Sequence, residues 1–299
     1  MNLKYTKING NGNNFLVMDN RELKLDDETK SKLTIRDCNV KTSIGADGLI
    51  FVEASQIADF RMRIYNVDGS EAEMCGNGAR CIARFAYDSQ IAGDKMAFQT
   101  EAGIMKAQII KEKDDQGNEI DNGLVSIDMG EIDLAPLQMD KNIVCLGKDI
   151  TYSYLPVGVP HVAVYCEENA IETTAEMIKY GNAIDKSREV FKQGTNVNFI
   201  EVIDQDNIKV TTFERGVDDL TDSCGTGSCS STIINAIKNK SQDGSIPENE
   251  LNGLSGMTTV QNPGGINKVN YSFNQKEQTC SIKLIGKVVT VARVEMLLD

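Results

Sequence analysis

The sequence predicts an α+β chain of two pseudo-symmetric domains, each with a central helix enclosed by a curved sheet. Three observations predict it. An ordered series of motifs occurs twice. The distance from Gly45 to Cys75 equals that from Gly194 to Cys224, at 30 residues. Each series ends in a helical pattern crowded with small residues, which suits a helix wrapped closely by strands better than one lying on a surface.

In the first half, a Gly-rich turn leads into the apolar run GNNFLVM (12–18), and GADGLIFV follows at Gly45. The strand-like FRMRIYNVDG then precedes MCGNGARCIARFAY. Short β-branched segments broken by Gly, Asn and Asp read as strands and turns, and the CGxG tetrapeptide marks where the period changes to that of a helix. Ala79, Ile82, Ala83 and Ala86 fall at i, i+3, i+4 and i+7 on its buried face. The second half repeats the order with GVPHVAVY at Gly158, GTNVNFIEV at Gly194, IKVTTFERG and SCGTGSCSSTIINAI. Its helix buries Ser230, Ile233, Ile234 and Ile237 at the same spacing. Two polar stretches without periodicity, 111–123 and 239–253, read as solvated loops or hairpin tips.

Composition narrows the function. With 299 residues, 40% apolar and 25% charged, the chain has ordinary globular values and length enough for two cores. Its net charge of −13, without any basic stretch, argues against nucleic acid or an anionic membrane surface as partner. One histidine and no Cys-x-x-Cys pair argue against a zinc or heme site, so no metal is expected. No apolar run approaches a membrane span, and the start MNLKYTKINGNG lacks the apolar core of a signal peptide. A cytoplasmic protein with free thiols is the expectation.

Cysteine at the first turn of a helix lies near unpaired amides and the positive end of the helix dipole, which favours thiolate. Flanking glycines at 76, 78, 225 and 227 keep side chains away from amides that can hold a carboxylate. Two such turns, bearing Cys75 and Cys224, suit removal and return of the α-proton of an amino acid. One thiol acts on each face, and the helix ends stabilise charge that develops on the carboxylate. No cofactor is required for that chemistry. The other six cysteines, Cys38, Cys81, Cys145, Cys166, Cys229 and Cys280, read as core packing. His161 reads either as a structural histidine or as a functional one. Glu214 and Arg215 read as a surface ion pair or as complements to a zwitterion, and Asn13, Asn66 and Asn196 as turn formers or ligands.

The motifs GNGNNFLVMD, GADGLI, NVDGSEAEMCGNGARC, GVPH, GTNVNF, FERGV, SCGTGS and the NPGG turn at Asn262 stand in the order of a known family. The chain resembles the diaminopimelate epimerases, a branch of the cofactor-independent amino-acid racemases. The resemblance implies two domains, each a mostly antiparallel, strongly curved sheet or barrel of eight strands around one helix. The C-terminal strand would return to the first domain, giving 1–129 plus 288–299 and 130–287. It makes Cys75 and Cys224 the acid/base pair of a homodimeric enzyme converting LL- to meso-diaminopimelate without pyridoxal phosphate. It assigns Gly76, Asn77, Gly225 and Thr226 to one carboxylate, and Asn13, Asn66, Asn196, Glu214 and Arg215 to the substrate. His161 and Glu214 would also tune the thiols. The chain departs from the family pattern at Val159, where the motif is usually GNPH, at Asn14, where Asp is usual, and in the segment 220–223. Two alternatives follow: a racemase of another amino acid, of lysine, histidine or proline type, or a non-catalytic protein that binds small anions.

Overall fold

A computed structural model describes residues 3–240, 251 and 253–296. By internal contacts these fall into two compact units, one of residues 1–128 and 285–299 and the other of residues 129–284, taken over the described positions. Both are α+β. Residues 241–250 and 252, most of the second stretch read as a loop, lie outside the described residues, as do the chain ends at 1–2 and 297–299.

The first unit starts with β1 (Leu3–Gly10), β2 (Asn13–Asp19), α1 (Asp27–Asp37), β3 (Gly48–Glu53), β4 (Phe60–Asn66) and β5 (Glu71–Ala72). It continues with α2 (Gly76–Asp88), β6 (Lys95–Thr100), β7 (Gly103–Lys113) and β8 (Glu119–Asp133), the last of which runs past the unit boundary. β1 pairs antiparallel with β2, β2 parallel with β3, and β3 antiparallel with β4. β4 pairs antiparallel with β5 and parallel with β6, and β6 and β7 then form antiparallel ladders to β7 and β8.

The second unit contains β9 (Gln138–Cys145), β10 (Lys148–Tyr154), β11 (His161–Tyr165), α3 (Cys166–Asn169), α4 (Thr174–Asp185) and β12 (Asn196–Val202). β13 (Asn207–Glu214), β14 (Asp219–Thr221), α5 (Gly225–Lys238), β15 (Ser255–Asn262), β16 (Gly265–Asn274) and β17 (Thr279–Met296) follow. The pairing order of the first unit recurs strand for strand. β10 is antiparallel to β11, β11 parallel to β12, β12 antiparallel to β13, β13 antiparallel to β14 and parallel to β15, and β15 antiparallel to β16. β9 flanks β10 as the C-terminal part of β17 flanks β1, both antiparallel. The repeat read from the sequence is thus a repeat of topology.

Local chemistry explains why the two halves turn alike. Gly45 and Gly194, each 30 residues before its cysteine, both hold left-handed backbone at φ 75° and 74°, a conformation that costs glycine nothing and an L-residue about 1 kcal/mol or more. α1 is capped by Asp26, whose carboxylate accepts from the Thr29 amide at 2.7 Å, and α4 by a capping box of Thr173 and Glu176.

α2 packs against β1, β2, β3, β4 and β7, and α5 against β11, β12, β13, β15 and β16. Ala79, Ile82, Ala83, Ala86, Ser230, Ile233, Ile234 and Ile237 are wholly buried, as the helical spacing predicts. The stretch 111–123 is a hairpin tip with its flanking strand ends, the second of the two readings made from the sequence. Residues 111–113 and 119–123 extend the β7–β8 hairpin, and only 114–118 form the tip, where Asp114 accepts from the Gln116 and Asn118 amides. The strand ends are exposed on both faces there, so the alternation that would announce a strand is missing. Among the described residues no helix is long and apolar enough to cross a membrane.

Candidate functional site

Both CGxG turns start a helix at their first glycine, and both cysteines are N-caps. Cys75 caps α2 with extended backbone (φ −141°, ψ 123°), and its sulfur accepts from the Gly78 amide at 3.5 Å. Cys224 caps α5 (φ −111°, ψ 112°), and its sulfur accepts from Gly227 at 3.4 Å. The amides of Ala79 and Ser228 bond back to the carbonyls of the same two cysteines. Positions 76–77 and 225–226, at the same two helix starts, are the pairs whose amides the family resemblance assigns to a carboxylate. A helix N-terminus presents such amides together with a positive partial charge.

In the first unit Cys75 is half-buried. The Asn77 side-chain amide donates to the Asn13 carbonyl at the start of β2, and its own carbonyl accepts from Arg80, one turn further along α2. Arg80 is wholly buried, so the guanidinium fixes which way Asn77, and through it Asn13, can point. Asn66 stands apart from this chain of bonds. It is exposed at the end of β4 and donates to the Ser70 hydroxyl at 3.1 Å across the β4–β5 hairpin.

The second unit draws its site residues closer together. Cys224 is buried, and burial is the main cause that raises its thiol pKa far above the usual range. The Glu214 carboxylate adds to this by charge and as an acceptor, against the opposing bonds from Thr226 and Gly227. The sulfur lies 3.5 Å from the Thr226 hydroxyl, and that hydroxyl is 2.9 Å from Nε2 of His161. His161 is wholly buried at the first position of β11. Desolvation lowers its pKa from 6.5 to about 3, with the Arg215 charge acting in the same direction and Asn198 opposing. At neutral pH the ring is uncharged. Asn196 accepts from the Arg215 amide at 3.0 Å, and Arg215 Nη1 donates to the Gln193 carbonyl at 2.8 Å. Glu214, one residue earlier, accepts from the Thr221 hydroxyl at 2.9 Å. Val159 lies in a tight turn after Gly158 (φ 70°), its carbonyl accepting from the Val157 amide, and its side chain carries no donor.

Sequence reasoning gives no role to Arg80, Asn198 or Thr212. Arg80 lies on α2 within the GNGARC run. Asn198 and Thr212 are wholly or almost wholly buried in β12 and β13, directly opposite each other. The NPGG turn contributes as well: the Gly264 amide donates to the Asp222 carbonyl at 2.7 Å, and Asn267 donates to Ser228 at 3.1 Å, steadying the entry to α5. The glycines also read differently in three dimensions. A Cβ on Gly227 would collide with the Asn198 carbonyl, and one on Gly78 would lie 3.1 to 3.3 Å from Ile64, Ile50 and Met62. The second glycine of each CGxG is therefore required by packing around the cysteine. Cys38, Cys81, Cys145, Cys166, Cys229 and Cys280 are buried in the cores as expected. Among the described residues no group of three or more His, Cys, Asp or Glu is placed to hold a metal ion.

Comparison with known proteins bears on this arrangement. The family model described as "Diaminopimelate epimerase" matches residues 5–134 and 153–289. The chain is 35% identical over 246 residues to the diaminopimelate epimerase of Aquifex aeolicus (strain VF5), covering 79% of this chain and 82% of that protein. It is 37% identical over 245 residues to that of Archaeoglobus fulgidus (strain ATCC 49558), covering 78% and 81%. Among solved structures, the Bacillus anthracis phenazine biosynthesis protein of the PhzF family matches over 100% of both chains, with a TM-score of 0.70 at 15% identity, a likeness of fold.

Proposed function

The chain belongs to the diaminopimelate epimerase family, a family of isomerases, and from that membership we propose that it interconverts LL- and meso-diaminopimelate through Cys75 and Cys224. The carrying observation is that both cysteines cap the central helix of their own unit, each with its sulfur held by the third amide. Inversion at carbon needs a base to take the α-proton and an acid to return one from the opposite face, and two thiols serve either direction by exchanging roles. Burial and Glu214 keep Cys224 protonated, so it enters the cycle as the acid, and the base role falls to Cys75. The amides at 76–77 and 225–226 stabilise the charge that grows on the α-carboxylate as the proton leaves. That supplies, without an electron-sink cofactor, the stabilisation an acidic carbon requires.

Arg215 and Asn196, joined through the Arg215 amide, are proposed to hold the distal carboxylate, with Asn13 and Asn66 as further ligands. A cytoplasmic homodimer supplying lysine and peptidoglycan precursors belongs to the same proposal. One observation favours a second reading: Val159 supplies no side-chain donor where the family motif has asparagine. The chemistry would then act on another amino acid.

Exchange of the α-proton in deuterated water separates the readings. Exchange with diaminopimelate, and a fall of roughly 10²- to 10⁴-fold in Cys75→Ser and Cys224→Ser, is the expected result for loss of an acid or base. Exchange with lysine, histidine or proline and none with diaminopimelate would establish the second reading. Retention of a bound anion with no exchange of any substrate would leave only a binding protein.

A further inference from the structure

Behind Cys224 runs a chain of polar side chains that the two-thiol chemistry does not require. Its last two members, Asn198 and Thr212, lie within quoted runs of the sequence that give them no role. Asn198 is wholly buried on β12 and Thr212, opposite it on β13, is almost wholly so. The Thr212 hydroxyl donates to the Asn198 carbonyl at 3.0 Å, which turns the Asn198 NH2 toward Nδ1 of His161, at 3.2 Å. A neutral imidazole carries one N–H. With Nδ1 accepting from Asn198, the proton must be on Nε2, and Nε2 faces the Thr226 hydroxyl at 2.9 Å. Thr226 then accepts from the ring, and its own proton is directed at the remaining neighbour, the Cys224 sulfur at 3.5 Å. Gly227 belongs to this arrangement, since any side chain there would displace the Asn198 carbonyl.

We propose that Asn198 is a positioning residue for the epimerisation. By fixing the Nε2–H form of His161 it makes the Thr226 hydroxyl a one-way donor to the Cys224 sulfur, so that the thiolate formed when Cys224 gives up its proton has a hydrogen bond waiting. The bond is of most value to the thiolate, because a charged acceptor gains about twice what a neutral one does. Cys224 needs such help: it is buried, and Glu214 beside it disfavours the thiolate. The inference rests on the role proposed for Cys224 and adds the group that makes a buried thiolate attainable. The charged groups bearing on Cys224 and His161 are Glu214, at the end of β13, and Arg215, the next residue. The hydrogen bonds of the Asn198 side chain go to His161 and Thr212, and those of Glu214 and Arg215 to Thr221, Asn196 and Gln193.

His161 is the only histidine of the chain, so its two ring nitrogens give a single pair of signals in ¹⁵N-labelled protein. The expected spectrum shows a protonated Nε2 and an unprotonated Nδ1, unchanged from about pH 8 to pH 5. The Nδ1–H form, or an imidazolium in that range, overturns the proposal. In Asn198→Leu the ring loses the donor to Nδ1 and should become a mixture of tautomers. The alkaline limb of the pH profile for exchange should move up by about one unit, with kcat falling roughly tenfold and KM little changed, as befits a lost bond to a charged group. Thr212→Val, which loosens the amide without removing it, keeps the question open to test where Asn198→Leu does not fold, and should move both readouts the same way by less. Thr226→Val should reproduce the shift in the pH profile while leaving the His161 tautomer alone. A normal pH profile in a folded Asn198→Leu or Thr212→Val protein with an altered tautomer overturns the proposal. Failure of the unaltered chain to exchange any substrate refutes the two-thiol function instead, and the tautomer spectrum still reads the bond geometry.

Discussion

Replacing His161 by Gln should flatten the acid side of the stability curve. The buried ring has its pKa lowered from 6.5 to about 3, whereas in the unfolded chain it takes up a proton near 6.5. A depressed folded pKa contributes stability that is present above the unfolded value and is lost as pH falls toward the folded one. At pH 5 the unfolded state binds nearly one proton that the native state refuses, so stability falls by about 1.3 kcal/mol per pH unit. Integrated from pH 7 to pH 5, the loss is about 2 kcal/mol. With no second histidine in the chain, and carboxylates common to both proteins, the difference in pH dependence between the native chain and His161→Gln isolates this group. Urea unfolding of both proteins at half-unit steps between pH 7 and 5 measures it. The native chain should lose about 2 kcal/mol more than the variant. Parallel curves would mean that the ring is either protonated in place or reached by water, and the neutral imidazole on which the Thr226 bond depends would be refuted with it.

Gly227→Ala should cost about 1–3 kcal/mol, the range for forcing extra volume into a packed interior, because its Cβ would meet the Asn198 carbonyl and lie 3.2 Å from the Cys224 sulfur. Thermal or urea unfolding reads the loss, and an unchanged midpoint would show that Asn198 gives way freely. Arg80→Met keeps the volume of a wholly buried side chain and removes the donor to Asn77. The KM for substrate should rise roughly tenfold, as for about 1.4 kcal/mol of lost ordering of Asn77 and Asn13, with kcat less affected. Steady-state kinetics decides it, and an unchanged KM would detach Asn77 from substrate binding.

How much of this was legible in the sequence depends on whether the cause was local. A left-handed glycine at 45 and at 194, a cysteine cap and a run of small residues are each decided within a few residues, so the duplicated topology and the position of both cysteines could be read directly. At 111–123 a hairpin tip could be read but not how far its strands reach, because they are held by each other and not by a buried face, which removes the period-two signal. Arg80 was hidden for the opposite reason: on a helix packed against five strands an arginine can be wholly buried and used for bonding, and nothing in the local sequence says which arginine that is.

Asn198 shows where sequence reasoning stops. In NVNFIEV it is one polar residue in an alternating strand, indistinguishable from a residue facing solvent. It gains meaning when β11 and β12 pair in parallel with His161 beside Asn196, and when β13 pairs antiparallel and brings Thr212 opposite Asn198. A shift of one residue in either ladder would turn Asn198 to the other face of the sheet, since side chains alternate along a strand. The hydrogen bond from Asn198 to His161, and through it the direction of the Thr226 proton, is therefore specified by strand register. The same register puts the apolar residues Val197 and Phe199 into the hydrophobic core. The burial that fixes the fold thereby also fixes the tautomer: both faces of β12 are buried from Asn196 to Ile200, so slipping it by one residue would carry the Asn198 amide into the apolar core without its partners, at about 1–3 kcal/mol.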